Sequence, residues 1–379
     1  MKLLFASDSF KGTLSSQEIA QMLTKAAHQV FDDPECIQMP VADGGEGTID
    51  AVVSAVGGTK RKVNVRAPMG DGIEASYAIL PDDSAFIEMA QASGITLVPK
   101  SERNPGVAST YGTGQLIRHA INSGINNIVI SIGGSATNDG GLGCLQALGA
   151  RLYDQNGKML DGYGNNLLRL AAIDAAEATA LFAGKHITVM CDVVNPLCGT
   201  DGATHVYAAQ KGATPAQIIS LEQGMQNYRG ILRSTFGIDP NDLPGSGAAG
   251  GLGAALMVVL GAQMVTGIDA ILQMAHFEDK ISDVDMVVTG EGRLDLQSCH
   301  GKVVSGIARI CRRHGVKAVA LVGSKGEGWN EILQLGITKA FAVTDYFPLA
   351  DSLANPRKTY FESATKMFNE LKSLKYIKS

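Results

Sequence analysis

The sequence predicts an α/β protein of two domains, and three observations carry that reading. The chain has 379 residues, more than one hydrophobic core usually serves, since single cores stop growing near about 250–300 residues. Two strand–loop–helix units open it and the same rhythm returns near residue 283, whereas the stretch between them begins with alternation typical of antiparallel strands. Glycine is abundant, at 45 residues, which implies many tight turns and close backbone approaches.

The elements follow in order. KLLFAS at 2–7 is a short apolar strand. Ser15, Ser16, Gln17 and Glu18 fit a capping box that opens a helix through about residue 30. CIQMPVA at 36–42 is the next strand, followed by a helix in TIDAVVSAV. Successive units of this kind imply a parallel sheet. RKVNVRAP, ASYAIL and SAFIEMA then read as neighbouring antiparallel strands, with MGDG and PDD as turns. NNIVISI and HITVMCDV are strand-like, and PAQIISLEQGMQNYRGILRS is a helix. From Gly245 to Ile268 no charge occurs. That length suits a membrane span, but the Gly and Ala content and the absence of a flanking basic cluster favour a buried helix preceded by a glycine loop. DMVVTG (285–290), KAVALVG (317–323) and KAFAVT (339–344) are strands, and GKVVSGIARICRRHG is a helix. The simplest topology is discontinuous. Residues 1–64 and 283–379 would form a doubly wound, flavodoxin-like five-stranded parallel sheet in the order 2-1-3-4-5. Residues 65–282 would form an inserted mixed α/β domain.

Composition excludes several classes. The net charge is −5 with no long Lys/Arg tract, which argues against a nucleic-acid partner. The six cysteines (Cys36, Cys144, Cys191, Cys198, Cys299, Cys311) form no CxxC pair, so neither a zinc ribbon nor a disulfide framework is expected and a reduced, cytoplasmic setting fits. The first apolar run is too brief for a secretory signal. No membrane partner is expected.

Ligands of an open parallel sheet bind beyond the carboxyl ends of its strands. The loops at those ends are SDSFKGT (7–13), DGGEGT (43–48), SIGGSATNDGG (131–141), CDVVNPLCG (191–199), TGEGRLD (289–295) and GSKGEG (323–328). Together they read as the walls of one polar cleft shared by two domains. Glycine amides with Ser and Thr hydroxyls suit phosphate. Lys11 and Arg293 supply positive charge, while Asp8, Asp43, Glu46, Asp192, Glu291 and Asp295 supply carboxylates that call for an intervening cation such as Mg²⁺. These are the parts of phosphoryl transfer. GxxxxGK[ST], a GxGxxG after the first strand, HExxH and GxSxG are all missing. Each loop also has a local reading. Asp8 and Ser9 suit an Asx turn, Gly44 and Gly45 a strand cap, and Asn138 and Asp139 the N-cap of the GGLGCLQAL helix. Cys191 and Cys198 suit buried packing, Lys302 a solvated helix face, and His205 and His300 surface positions. Six such loops in one chain favour the shared site.

DSFKGTLS, ADGGEGT, IEMAQASG, STYGTGQLI, GGSATNDGG, CDVVNPLCG, GSGAAGGLG and TGEGRLDLQS…GK together resemble the signature blocks of the bacterial glycerate kinases, the first of that family's recognised types. The resemblance runs from Lys2 to about Phe368. It implies ATP-dependent phosphorylation of D-glycerate with Mg²⁺, usually to 2-phosphoglycerate, and a pair of α/β domains of which one is discontinuous and flavodoxin-like. On that basis Asp192 is expected to be the general base, with Asp8 its rival. Lys11 and Arg293 would bind the carboxylate and the moving phosphoryl, with Ser9 and Asn195 also on the substrate. Glu46 and Asp295 would hold Mg²⁺. Gly133, Gly134, Ser135, Thr137 and Asn138 would cradle the ATP phosphates, and Gly250 and Gly251 likewise. The competing readings are a glycerate 3-kinase, a kinase of another small hydroxy acid, and a non-catalytic regulator that binds a sugar acid. Oligomeric state stays open, a homodimer among the options.

Overall fold

The structure, a computed structural model, describes residues 1–10, 13–39, 41, 48–299 and 301–374. Its two main sheets use, in chain order, β1 (Lys2–Ser7), β2 (Glu35–Gln38), β3 (Thr59–Arg66), β4 (Gly72–Ile79), β5 (Ala85–Glu88), β6 (Asn127–Ser131), β7 (His186–Met190), β8 (Gln263–Val265), β9 (Met286–Gly290), β10 (Lys317–Val322) and β11 (Ile337–Ala342). The helices needed below are α1 (Ser16–Val30), α2 (Tyr111–Asn122), α3 (Pro215–Phe236), α4 (Val303–His314) and α5 (Pro356–Ser373).

The chain divides into two compact units. Unit 1 comprises Met1–Gly45, Ser54–Val56 and Gly267–Ser379, and unit 2 comprises Glu46–Val53 and Gly57–Thr266. These borders differ from the expected 64/65 and 282/283. All of β3 pairs with β4 as a hairpin, from Thr59 opposite Ile79 to Arg66 opposite Gly72, and that hairpin carries residues 59–64 into unit 2. At the other border, Ile268 and Leu272 pack against Gly306 of α4, which draws the chain from Gly267 into unit 1.

Unit 1 is built on a five-stranded sheet in the order β2-β1-β9-β10-β11, with every neighbouring pair parallel. Its inner strands are continuous apolar runs, buried along LLFAS, MVVTG and AVALV, as expected when both faces of a parallel sheet are covered. The capping box forms: Glu18 N–H donates to Ser15 Oγ at 3.2 Å and Ser15 N–H to Glu18 Oε2 at 2.9 Å. Phe368 of α5 packs against Phe5 and Phe31, with ring centroids 6.2 and 5.7 Å apart, so the last helix closes the core begun by the first strand.

Unit 2 holds a six-stranded sheet in the order β8-β7-β6-β5-β4-β3. The β3–β4–β5 part is antiparallel and the β5–β6–β7–β8 part parallel. The carboxyl ends of β5, β6, β7 and β8 therefore share one edge. The core includes Tyr77, Ile87, Leu116, Ile130, Val189 and Met225. Within 245–268 the expected buried helix preceded by a glycine loop is present, the helix being short and ending as a π-helix. The helical stretch Ala248–Ala254 contains a left-handed turn at Ala249, Gly250 and Gly251 (φ 52°, 66° and 92°), continues as a π-helix over Ala255–Val259, and gives way to β8. Close packing imposes the break: a Cβ on Gly250 would lie 2.1 Å from the Thr137 carbonyl oxygen. Among the described residues no helix is long and apolar enough to cross a membrane.

Candidate active site

In unit 1, β1 and β9 lie side by side with Ser7 opposite Gly290. Their loops, SDSFKGT and TGEGRLD, therefore leave the sheet together, and the Asp8 amide donates to the Gly290 carbonyl at 2.9 Å. The TGEGRLD loop is also stitched to the loop after β10. Arg293–Leu294 pairs in parallel with Ser324–Lys325, and the amides of Gly323, Ser324 and Gly326 donate to Glu291, Gly292 and Leu294 at 3.1, 3.1 and 2.7 Å. Three of the loops singled out in the sequence are thus one construction.

They enclose a cavity of about 420 Å³ whose polar lining includes Asp8, Ser9, Glu291, Arg293, Asp295 and Lys302, with Phe10, Leu14, Leu349, Leu353 and Tyr360 on its apolar side. Asp8 is buried on the cavity's lining, and its Oδ1 accepts from the Ser9 amide at 2.7 Å. Arg293 is exposed, with Nε 3.5 Å from Asp295 Oδ2. Glu291 is buried. Its burial pushes the carboxyl up to about 7, the charges of Asp8 and Asp295 add to that, and Ser298 and Lys302 pull the other way. On the cavity's lining, Glu291 Oε1 is buried with no hydrogen-bond partner among the described residues.

In unit 2 the glycine-rich loop after β6 is pinned at several points. Ile95 N–H donates to the Gly134 carbonyl at 2.8 Å, Ala136 N–H to Ser93 at 2.9 Å and Gly140 N–H to Gly250 at 2.9 Å. Gly133 and Gly134 are exposed, Gly134 with φ 73°, and their N–H groups meet no acceptor among the described residues. Ser135, Thr137 and Asn138 are buried. Ser135 Oγ accepts from Lys211 Nζ at 2.7 Å, the Thr137 hydroxyl donates to the Ala249 carbonyl at 3.5 Å, and Asn138 Nδ2 donates to Thr204 Oγ1 at 3.1 Å. Gly250 and Gly251 are buried against residues 137–140. Asp139 is fully buried and accepts from Thr110 N–H (2.8 Å), the Thr110 hydroxyl (2.8 Å), Gly141 N–H (3.1 Å) and Gly143 N–H (3.3 Å). It thereby satisfies the first turn of the helix Leu142–Ala147.

After β7, Asp192 is exposed. Asn195 donates to the Asp201 carbonyl at 2.8 Å and accepts from the Tyr207 hydroxyl at 2.7 Å. Cys198 is buried, and burial pushes the Cys191 thiol up to about 11, which suits packing rather than reactivity.

Of the expected site residues, Asp8, Ser9, Arg293 and Asp295 line one cavity. Asp192, Asn195, Gly133, Gly134, Ser135, Thr137, Asn138, Gly250 and Gly251 belong to unit 2. Lys11, Glu46, Asp43, Gly44, Gly45 and His300 lie outside the described residues. Sequence reasoning gave no role to Tyr360 or Lys211 and counted Glu291 only as one of the cleft's carboxylates, since only burial distinguishes them. Among the described residues no group of three or more His, Cys, Asp or Glu is arranged to hold a metal ion.

The model of the Glycerate kinase family matches residues 3–372. The chain belongs to the glycerate kinase family. It is 43% identical over 344 residues to the glycerate 2-kinase of Escherichia coli (strain K12), covering 90% of each chain. It is 40% identical over 365 residues to a glycerate kinase of Halalkalibacterium halodurans, covering 96% of each. Among solved structures it is similar to a crystal structure from Salmonella typhimurium LT2 described as glycerate kinase 2, with a TM-score of 0.85, 40% identity and full coverage of both chains.

Proposed function

We propose that the protein transfers the γ-phosphoryl group of ATP to the C2 hydroxyl of D-glycerate. The observation that carries this reading is the cavity of unit 1, where Asp8, Glu291, Asp295, Arg293 and Lys302 line one space and Glu291 Oε1 goes without a partner among the described residues. An unpartnered buried polar group costs about 1–3 kcal/mol, so the orphaned Glu291 Oε1 on the cavity wall is best explained by a ligand that completes it. Family membership narrows that ligand to glycerate. Arg293 offers the planar guanidinium that pairs a carboxylate bidentately, and Ser9 adds a hydroxyl. Asp8 takes the hydroxyl proton as the new O–P bond forms and the bond to ADP breaks, which leaves 2-phosphoglycerate and ADP. Asp192, exposed at the end of β7, is the second candidate for that base.

The phosphates of ATP go to the outward amides of Gly133 and Gly134, successive donors of the kind that favour anions. Ser135, Thr137, Asn138, Gly250 and Gly251 shape that loop from within. Mg²⁺ would suit Asp8 and Asp295 on the cavity's lining, since carboxylates there would otherwise repel a phosphorylated substrate. It is commonly held by one or two carboxylates plus phosphate oxygens. Asp295, on the cavity's lining, would hold it, and when bound it would neutralise charge on the phosphate oxygens. We place the reaction in the cytoplasm, in keeping with six free thiols.

The test is ADP release with ATP, Mg²⁺ and D-glycerate, the product being offered to enolase alone and to phosphoglycerate mutase plus enolase. Consumption by enolase alone is expected. A signal that needs the mutase would make the enzyme a 3-kinase, and no glycerate-dependent ADP would favour the regulator.

A further inference from the structure

QKGATP at 210–215 reads as a turn before α3, and the reading of the site above does not use it. Yet Lys211 is only 3% exposed, and lysine is almost never buried without a partner. Its Nζ lies 2.7 Å from Ser135 Oγ and 2.7 Å from the Thr137 carbonyl oxygen, directly beneath the glycine-rich loop. Burial pulls its pKa down to about 7, while the charge of Asp139 opposes that shift. Stability alone does not account for such a residue. An apolar side chain of similar length would fill the space without the cost of desolvating an ammonium, and replacing buried charges by apolar groups is often neutral or stabilising.

The two contacts fall on either side of Ala136, immediately after the exposed Gly133 and Gly134. The Thr137 carbonyl faces the ammonium. Since peptide units are planar and this chain has no cis bond among its described residues, the Asn138 N–H points the opposite way. One buried cation thus sets the orientation of the turn that follows the outward amides. We propose that Lys211 is the positioning residue of this loop, and that by holding Ser135 and Thr137 from below it keeps the Gly133 and Gly134 amides arranged for the phosphates of a nucleoside triphosphate. The proposal rests on the reading that this loop takes the nucleotide.

Three variants of the full chain test both. Lys211→Met removes the ammonium. Ser135→Ala removes one of its two contacts and keeps the charge. Gly133→Asp places a carboxylate beside the outward amides, at a position where an added Cβ meets nothing within 4 Å and φ is not left-handed. The readouts are mant-ATP binding by fluorescence, separate KM values for ATP and glycerate, kcat, and thermal unfolding. In Lys211→Met the mant-ATP Kd and the KM for ATP should rise about tenfold or more, while the KM for glycerate stays within about twofold. Ser135→Ala should raise the same two constants about threefold with unfolding unchanged. Gly133→Asp should weaken mant-ATP at least about tenfold. If Gly133→Asp weakens nucleotide binding but Ser135→Ala and a folded Lys211→Met do not, the loop is the nucleotide site and the role of Lys211 is wrong. If Gly133→Asp leaves mant-ATP binding intact, the reading of the loop fails and the proposal falls with it. Should Lys211→Met not fold, an unchanged Ser135→Ala overturns the proposal by itself.

Discussion

The loops that follow β6 and β9 each bury a carboxylate, and the two are treated in opposite ways. Asp139, in unit 2, receives four donors. Burial pushes its pKa upward and those donors oppose it. Glu291, in unit 1, has one oxygen with no partner among the described residues and a carboxyl pushed up to about 7. A buried carboxylate whose lone pairs are taken can only hold its surroundings in shape. One left incomplete beside a cavity costs stability and keeps capacity for a ligand. The difference separates a carboxylate that builds the site from one that belongs to its chemistry.

The hardest test of that division is turnover. Asp8→Asn, in the cavity beside Glu291, should lower kcat by about 10²–10⁴ with the fold intact, whereas Asp192→Asn should change it less than about tenfold. The reverse ranking would move the base to unit 2. Next is Asp139→Ala, which strands four donors and should destabilise the protein by about 3–5 kcal/mol in urea unfolding. A loss under about 1 kcal/mol would show that the network is not structural. Glu291→Gln should do the opposite. With a folded pKa of about 7 against an ordinary 4.5, the native state holds a proton that the unfolded chain releases. That advantage is complete below the ordinary value and is lost as pH rises through 7. Measured by thermal melts, the variant should match the parent near pH 4 and exceed it at pH 8 by at most about 3 kcal/mol. An equal difference at both pH values would mean that Glu291 is not buried as a neutral acid. The smallest effect sets the scale for a contact with no part in chemistry: Ser15→Ala removes a capping box and should cost about 1 kcal/mol with kinetics unchanged.

The parallel sheet of unit 1 was legible because a sheet covered on both faces needs continuous apolar strands. The strand-end loops were legible because glycine, hydroxyl and carboxylate residues cluster there. Within 245–268 the glycine loop and the buried helix after it were legible, but not where the loop turns left-handed, because an apolar run carries no record of the Thr137 carbonyl that a Cβ on Gly250 would strike. Lys211 was missed because a lysine beside Gly and Pro has the composition of a surface turn, and only the fold over it makes it an interior cation. Glu291 stood among the carboxylates of TGEGRLD, but nothing local distinguishes a desolvated acid from its exposed neighbours. The border was set at 64/65, inside the strand read at RKVNVRAP, because nothing in that run marks where the hairpin begins; β3 pairs with β4 from Thr59 onward.

The pairing of β1 with β9 has a consequence measured in time. Leu3 sits opposite Met286, so the first strand leaves the ribosome long before its neighbour exists. At about 5–20 residues per second, that interval is roughly a quarter of a minute to a minute. Throughout it the apolar LLFA segment has only the short β2 beside it and must be covered by α1 or by a chaperone. Unit 2, whose strands lie within residues 59–265, can finish folding first. The order of synthesis thus makes the inserted unit the early folder and leaves the cavity of unit 1 among the last parts to close.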